Sequence, residues 1–193
     1  MIYGWSPGIG DPDVLGWFTV AAYLGAAILC FRAAPISRVG RGRRKRHFWR
    51  LLGVAFVLLG INKQLDLQTL FTAIGRHAAQ SEGWYAERRP VQKEFITLIT
   101  AVGGVLALGV LLFVRDLGWA ARLATMGLCF IILFVIVRAT SFHHVDAFLG
   151  SEFGGVKANH LLELGGIAVV AASAAVAMRD ATRRAPLAAR ARR

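Results

Sequence analysis

Apolar residues along the chain fall into five long runs separated by polar and charged segments. Four runs, 14–31, 95–114, 119–142 and 156–178, have the length of a membrane span, and a fifth, 48–74, begins in the same way but carries Asn62, Lys63 and Asp66 in its second half. About 20 mainly apolar residues cross the hydrocarbon core of a bilayer as one helix. The pattern therefore predicts an all-α integral membrane helical bundle with five transmembrane helices.

The segments between the runs predict where the first helix starts and how the chain is divided. Asp11 followed by Pro12 is typical of an N-cap with proline at the first helical position, so we expect the first helix to begin there. No Lys or Arg precedes the first run, so we do not expect a cleavable signal peptide. Without a repeat at a fixed period, residues 1–178 are predicted to form one membrane domain, followed by a basic tail at 179–193.

The charge balance changes the expected partners. A net charge of +12 would suggest nucleic acid in a soluble protein, but 56% of the residues are hydrophobic and the basic residues lie mostly between the apolar runs. We therefore expect no nucleic-acid role, and anionic lipid headgroups as partners of the basic loop near residues 38–46 and of the tail. Cys30 and Cys129 lie inside apolar runs without metal-ligand spacing, so they are predicted to be packing residues.

The same basic residues predict the orientation. If the chain crosses the membrane five times, alternate loops lie on the same side, and sixteen of the 23 Lys and Arg residues then lie on one side of the membrane. Because basic loops stay on the cytoplasmic side, the N-terminus is predicted outside and the C-terminus in the cytoplasm, in a bacterial inner membrane.

This orientation places the polar residues of three spans at one level, near the outer, periplasmic face. They are Asn62, Lys63 and Asp66 on the second span, Arg138 and Ser141 on the fourth with His143 and His144 after them, and Asn159, His160 and Glu163 on the fifth. Charges inside a span are costly unless they are paired or hydrated, so they are candidate functional residues. Gln64 is predicted to point away from this cluster.

The sequence also predicts which spans pack against each other. The small residues of the fifth span suit close approach, and its expected neighbours are the second and fourth spans. The first and third spans are expected to supply only lipid-facing and packing residues, with Gly103, Gly104 and Gly109 as the contact points of the third.

The residue types of the cluster suit several kinds of chemistry. The catalytic candidates are His160, Glu163, Asp66, Lys63, Arg138 and Ser141, the substrate-binding candidates are Asn62, Asn159, Arg88 and Arg89, and the metal candidates are His143, His144 and His160. A histidine oriented by a carboxylate can act as a general base while Lys63 or Arg138 stabilises an anion. A divalent metal is the alternative, and haem between paired histidines is a weaker one, although the chain has no HExxH motif. Ser141 as a nucleophile has no GxSxG context around it.

Two classes of function remain open at this point. The first is a hydrolase or other enzyme that acts on a lipid or amphiphile in a polar pocket near the periplasmic face, with Arg88 and Arg89 in a loop that covers it. The second is a non-enzymatic accessory or interaction subunit of a larger membrane complex, whose polar cluster is a structural ion-pair network. Transport ranks third because the cluster lies on one side rather than at the bilayer midplane.

Overall fold

Five long helices make up most of the part of the chain that the structure describes. The computed structural model describes residues 10–36, 42–65, 73, 74, 77, 80, 81, 88–140, 152, 153 and 156–190. The helices are α1 (Val14–Ile36), α2 (Gly42–Leu65), α3 (Arg88–Val114), α4 (Trp119–Thr140) and α5 (Ala158–Arg190). A two-residue antiparallel pair, β1 (Glu152–Phe153) and β2 (Val156–Lys157), precedes α5, with Glu152 opposite Lys157.

The predicted helical membrane fold is confirmed in its coarse form. Helices α1, α2, α4 and α5 are long and apolar enough to cross a membrane. In α3 the apolar part found within the described residues is shorter, Thr100–Val114. Four of the five predicted spans thus correspond to helices with the length and composition of a membrane crossing.

The first helix begins later than its sequence signal indicated. Asp13 Oδ1 accepts a hydrogen bond from Gly16 N at 2.5 Å, which is the contact of an N-cap side chain with the third helical residue. The prediction that Asp11 is the cap was therefore wrong. Pro12 precedes the cap instead of occupying the first helical position, and the Asp11 side chain is left available for another contact.

Helix packing follows the order α2, α1, α5, α4, with α3 lying against α4. The neighbours of α5 are thus α1 and α4, whereas α2 and α4 were expected. Helix α1 takes this central place because one of its stripes consists of small residues that are all buried: Ala26, Ala27, Cys30, Ala33 and Ala34. Small side chains allow two helix backbones to approach each other closely.

Glycines set the spacing between α4 and α5. A Cβ atom added at Gly166 would lie 2.6 Å from Ile131 Cγ1, and one added at Gly127 would lie 2.8 Å from Val170 Cγ2. By contrast, Gly103, Gly104 and Gly109 of α3 have open space around them, so the prediction that they form a helix contact is not met within the described residues.

Two ends of the bundle can be distinguished. At one end Gly10 N donates to Gln64 O at 2.7 Å, so the start of α1 meets the end of α2. At the other end the Arg44 guanidinium lies 4.7 Å from the centroid of the Phe113 ring, so the start of α2 meets the end of α3. We call the first the polar end, defined by Asp11, Asp13, Lys63, His160 and Glu163. The second is the basic end, defined by Arg43, Arg44, Lys45, Arg46, Arg50 and Arg115.

Candidate functional site

The centre of the polar end is Lys63 on the last turn of α2. Its Nζ atom lies 2.7 Å from Asp11 Oδ2 and 2.9 Å from Glu163 Oε2. The side chains of Lys63 and Glu163 are 4% and 3% exposed, and that of Asp11 is 22% exposed. A lysine ammonium group is thus held out of water between two carboxylates, one from the segment before α1 and one from α5.

Tyr23 of α1 completes the environment of Glu163. Its hydroxyl donates to Glu163 Oε1 at 2.9 Å, so both carboxylate oxygens are engaged. The ring is almost fully buried, meets the Phe56 ring edge-on at 5.7 Å and lies over Gly60, which has no side chain to displace it. Side chains from α1, α2 and α5 therefore meet at Glu163.

The segment before α1 lies against the end of α2. Gln64 Nε2 donates to Asp11 O at 3.5 Å, beside the hydrogen bond from Gly10 N to Gln64 O. Gln64 therefore contacts the chain next to the cluster, whereas it was expected to point away. These backbone contacts bring the Asp11 carboxylate to Lys63.

His160 is a further buried polar side chain at this end. Its Nε2 atom lies 4.0 Å from Asp13 Oδ2, and the Asp13 side chain is 56% exposed. Its Nδ1 atom is buried and has no hydrogen-bond partner among the described residues. The backbone N of His160 donates to the Asn159 side chain at 2.7 Å, which places both residues on the first turn of α5.

Part of the predicted cluster is brought together and part cannot be placed. Lys63 contacts Glu163, while Asn62 and Asn159 are half-buried neighbours of Lys63 and His160 in the chain. The candidates Asp66, Ser141, His143 and His144 lie outside the described residues. Arg88, Arg89 and Arg138 have helical backbone, but their side chains also lie outside the described part.

Two residues of the polar end, Asp11 and Asp13, were not predicted as site residues from the sequence, and neither was Tyr23, which contacts Glu163. The expectation that the first span supplies only packing and lipid-facing residues was wrong, because Tyr23 hydrogen-bonds to Glu163. The signal was present, since a tyrosine hydroxyl in an apolar run needs a partner when it is buried. Asp11 was expected to cap the first helix, and its contact with Lys63 was therefore not predicted.

The described part of the chain contains no group of three or more His, Cys, Asp or Glu residues arranged to hold a metal ion. Glu163 and Asp11 both contact Lys63, whose positive charge occupies the place that a cation would take. His160 is the single metal candidate among the described residues. The metal and haem predictions otherwise rest on His143 and His144, which lie outside them.

The polar residues of this end therefore differ in whether they could take part in a reaction. Lys63 and Glu163 are bound to one another, whereas His160 keeps a ring nitrogen without a described partner.

No protein-family model, curated protein or solved structure matches the chain.

Proposed function

We propose that this is a multi-pass protein of the bacterial inner membrane in which Asp11, Lys63, Glu163 and Tyr23 hold α1, α2 and α5 together rather than carry out a reaction. The observation that supports this is the position of Lys63 Nζ, 2.7 Å from Asp11 Oδ2 and 2.9 Å from Glu163 Oε2. Such a cluster suits a non-enzymatic accessory or interaction subunit of a larger membrane complex.

The energetics favour a structural role because the contacts are complementary. A buried charge costs roughly several kcal/mol unless its partners compensate for it. Here each charge has a partner. Glu163 uses both carboxylate oxygens, one on Lys63 and one on Tyr23. A group that accepts or releases a proton in a reaction must reach the substrate, and in the described part of the chain Lys63 and Glu163 are both buried and paired with each other.

The membrane arrangement extends this proposal. With 27 residues, α3 is about 40 Å long at a rise of 1.5 Å per residue, which is enough for a fifth span. The excess of Lys and Arg at the basic end favours a cytoplasmic basic end, with anionic lipid around it, and a periplasmic polar end. A reporter fused after Arg193 should signal from the cytoplasm, and a periplasmic signal would overturn this arrangement.

The structural role can be tested by removing the two charges together. Lys63→Met and Glu163→Met should each lower the amount of protein in the membrane fraction, because each takes a counter-charge away from a buried ionised side chain. The double variant should recover part of the loss, since it removes both buried charges, although the partly exposed Asp11 carboxylate and the Tyr23 hydroxyl lose their contacts with Lys63 and Glu163. Lys157→Met, at an exposed lysine beside α5, is the matched control and should accumulate like the wild type. Normal abundance of both single variants would refute the proposed role.

A second candidate function is supported by His160. A buried imidazole with one nitrogen facing a carboxylate at 4.0 Å and the other without a described partner resembles a general base oriented by an acid. The reaction class would be hydrolysis of a lipid or amphiphile at the periplasmic face.

This second candidate predicts turnover that the first does not. Wild-type protein reconstituted in vesicles of phosphatidylethanolamine and phosphatidylglycerol should release hydrolysis products detectable by mass spectrometry, and His160→Gln should abolish them while it accumulates normally. Vesicles that stay intact with the wild-type protein, or equal product from His160→Gln, would remove the support for this reaction.

A further inference from the structure

Helices α2 and α3 meet at the basic end through Arg44 and Phe113. The Arg44 guanidinium lies 4.7 Å from the centroid of the Phe113 ring, and both side chains are exposed. The attraction between a cation and the face of a ring uses none of the N–H groups of the guanidinium. The ring therefore positions Arg44 while this contact leaves its hydrogen-bond donors for an acceptor.

The face of α2 that carries Arg44 becomes apolar toward the middle of the helix. With 3.6 residues per turn, Leu51 and Leu58 lie within about 40° of Arg44 around the helix axis. Both leucines are exposed, Leu51 at 68%, and they lie to one side of the face through which α2 packs on α1. The three residues form a stripe that begins with a cation at the basic end and continues as exposed hydrocarbon.

A matching stripe on α3 begins at Phe113. Leu106 and Val102 lie within about 20° of Phe113 around the axis of α3, and Gly109 within about 40°. Both apolar side chains are exposed, Leu106 at 64%, and a Cβ atom added at Gly109 would meet no described atom within 4 Å. The exposed stripe of α3 therefore runs from the same contact in the same direction as the stripe of α2.

The contact of Arg44 with Phe113 turns the two stripes toward each other. Beyond that contact the side chains of both stripes stay exposed, so the helices do not close on one another within the described residues. We call the space between them the α2–α3 groove, with walls formed by Leu51, Leu58, Val102, Leu106 and Gly109. Its walls are apolar, and it starts at a cation.

The charge at the start of the groove narrows the class of occupant. Arg115 follows Phe113 by two residues and is exposed, and Asp116 Oδ1 lies 3.9 Å from Arg115 Nε, so this carboxylate offsets one of the two arginine charges there. A guanidinium group binds phosphate oxygens through its planar fork of N–H groups. A molecule that joins a negatively charged phosphate to hydrocarbon chains complements both the cation and the apolar walls.

We propose that the α2–α3 groove binds one anionic phospholipid, with its phosphate at Arg44 and an acyl chain between Leu51 and Leu106. The inference rests on the proposed membrane placement, in which the basic end meets the cytoplasmic leaflet. It deepens that placement by naming the class of lipid and the residues that hold it. Arg43 lies about 100° from Arg44 around α2, so it attracts the lipid only through its charge.

The first test compares two variants that lose the same charge. Full-length protein in detergent is titrated with phosphatidylglycerol, with phosphatidylcholine of the same chains, and with inorganic phosphate, and the bound molecules are counted by native mass spectrometry. Arg43→Gln should weaken phosphatidylglycerol binding about fivefold, the equivalent of about 1 kcal/mol for a surface charge. Arg44→Gln should weaken it at least about tenfold, because a charge-assisted hydrogen bond is lost as well.

Phe113→Leu tests whether the ring positions Arg44. It keeps every charge at the basic end and removes only the aromatic face under the guanidinium. Phosphatidylglycerol binding should weaken about threefold, the size of an exposed cation–π contact.

Gly109→Leu tests the groove separately from the charge. Its side chain would enter the groove without meeting a described atom, and phosphatidylglycerol binding should weaken about fourfold for each methylene group of the acyl chain that it displaces. Gly104→Leu is the matched control, because Gly104 also has open space but lies on the side of α3 opposite Phe113. It should bind like the wild type. Leucine favours a helix more than glycine does, so neither variant should melt below the wild type.

Four outcomes would overturn the inference. Equal losses in Arg44→Gln and Arg43→Gln would mean that the charges attract lipid without a site, and equal binding by Gly109→Leu and Gly104→Leu would refute the groove. Equal binding of phosphatidylglycerol and phosphatidylcholine would refute the selection of an anionic lipid. Inorganic phosphate binding as tightly as phosphatidylglycerol would make the site one for a free anion. Each result leaves the proposed membrane placement intact, whose own failure would appear as a periplasmic signal from the reporter.

Discussion

The two ends of the bundle treat positive charge in opposite ways. At the polar end Lys63 is 4% exposed and is bound by carboxylates of the same chain. At the basic end Arg43, Arg44 and Arg50 are exposed, and Arg44 lies over the ring of Phe113. The comparison shows that a buried cation belongs to the internal structure of the bundle, while the exposed cations are available to its surroundings.

The difference has an energetic consequence. Ion pairs at the surface contribute about 0–1 kcal/mol because water screens them, whereas breaking a buried pair leaves an uncompensated charge and costs about 3–5 kcal/mol. Substitutions of the same type should therefore have very different effects at the two ends.

Replacing Lys63 should give the largest effect. Lys63→Ala should lower the free energy of unfolding by about 3–5 kcal/mol, because Glu163 and Asp11 would then face each other without a cation. Arg43→Ala, which removes the same charge from an exposed position, should change it by less than about 0.5 kcal/mol. Thermal unfolding in detergent measures both, and similar melting temperatures for the two variants would remove the distinction between the ends.

Removing a single hydroxyl should give the next largest effect. Tyr23→Phe keeps the ring against Phe56 and removes the hydroxyl that donates to Glu163 Oε1. A hydrogen bond to a charged group contributes about 1.5–3 kcal/mol, so the free energy of unfolding should fall by about that amount. Glu163→Gln combined with Tyr23→Phe should show a smaller additional loss, since the carboxylate charge is already absent. Full additivity of the two changes would indicate that the two side chains do not interact.

The role of Tyr23 also shows what the sequence could not predict. Helix existence followed from apolar runs of membrane-spanning length, and the meeting of Lys63 with Glu163 was consistent with charge pattern and orientation. Which helices flank α5 depends instead on which of them has the smallest side chains along one face, and several spans of this chain are rich in Ala and Gly. Periodicity within one helix carries no information about which other helix it will contact, so α1 was not expected beside α5.

Asp11 gives a second example. Its place next to Pro12 fits a helix cap well, and its contact with Lys63 depends on how residues 10–13 fold back against Gln64. That path is fixed by two hydrogen bonds that join distant parts of the chain, from Gly10 N to Gln64 O and from Gln64 Nε2 to Asp11 O. Local signals cannot reveal such a contact, because they depend only on residues that are close in the sequence.

Between the two ends, helix spacing can be tested with neighbouring glycines. Gly166→Ala would place its methyl group 2.6 Å from Ile131 Cγ1, so α4 and α5 must move apart, at a cost of about 1–3 kcal/mol. Gly165→Ala enters open space and should be neutral or stabilise the helix by up to about 1 kcal/mol. Melting temperatures of the two variants provide the comparison, and equal values would argue against close packing of α4 on α5.

The smallest expected effect separates the two roles of Asp13. Its Oδ1 atom caps α1 through Gly16 N, while its Oδ2 atom lies 4.0 Å from His160 Nε2. Asp13→Ala removes both contacts and should cost about 1 kcal/mol through the lost cap. Asp13→Asn keeps an oxygen that can cap the helix, and asparagine caps helices as well as aspartate does. Its free energy of unfolding should therefore stay within roughly a few tenths of a kcal/mol of the wild-type value.

Comparing these two variants shows whether the charge of Asp13 matters to His160. If Asp13→Asn is as stable as the wild type at neutral pH, the cap accounts for the structural contribution of Asp13, and the carboxylate facing His160 adds little to stability. A loss as large as that of Asp13→Ala would mean that the negative charge beside His160 is itself part of the network at the polar end. The polar end would then hold two cooperating acidic contacts, Asp11 to Lys63 and Asp13 to His160, and its contrast with the basic end would be sharper still.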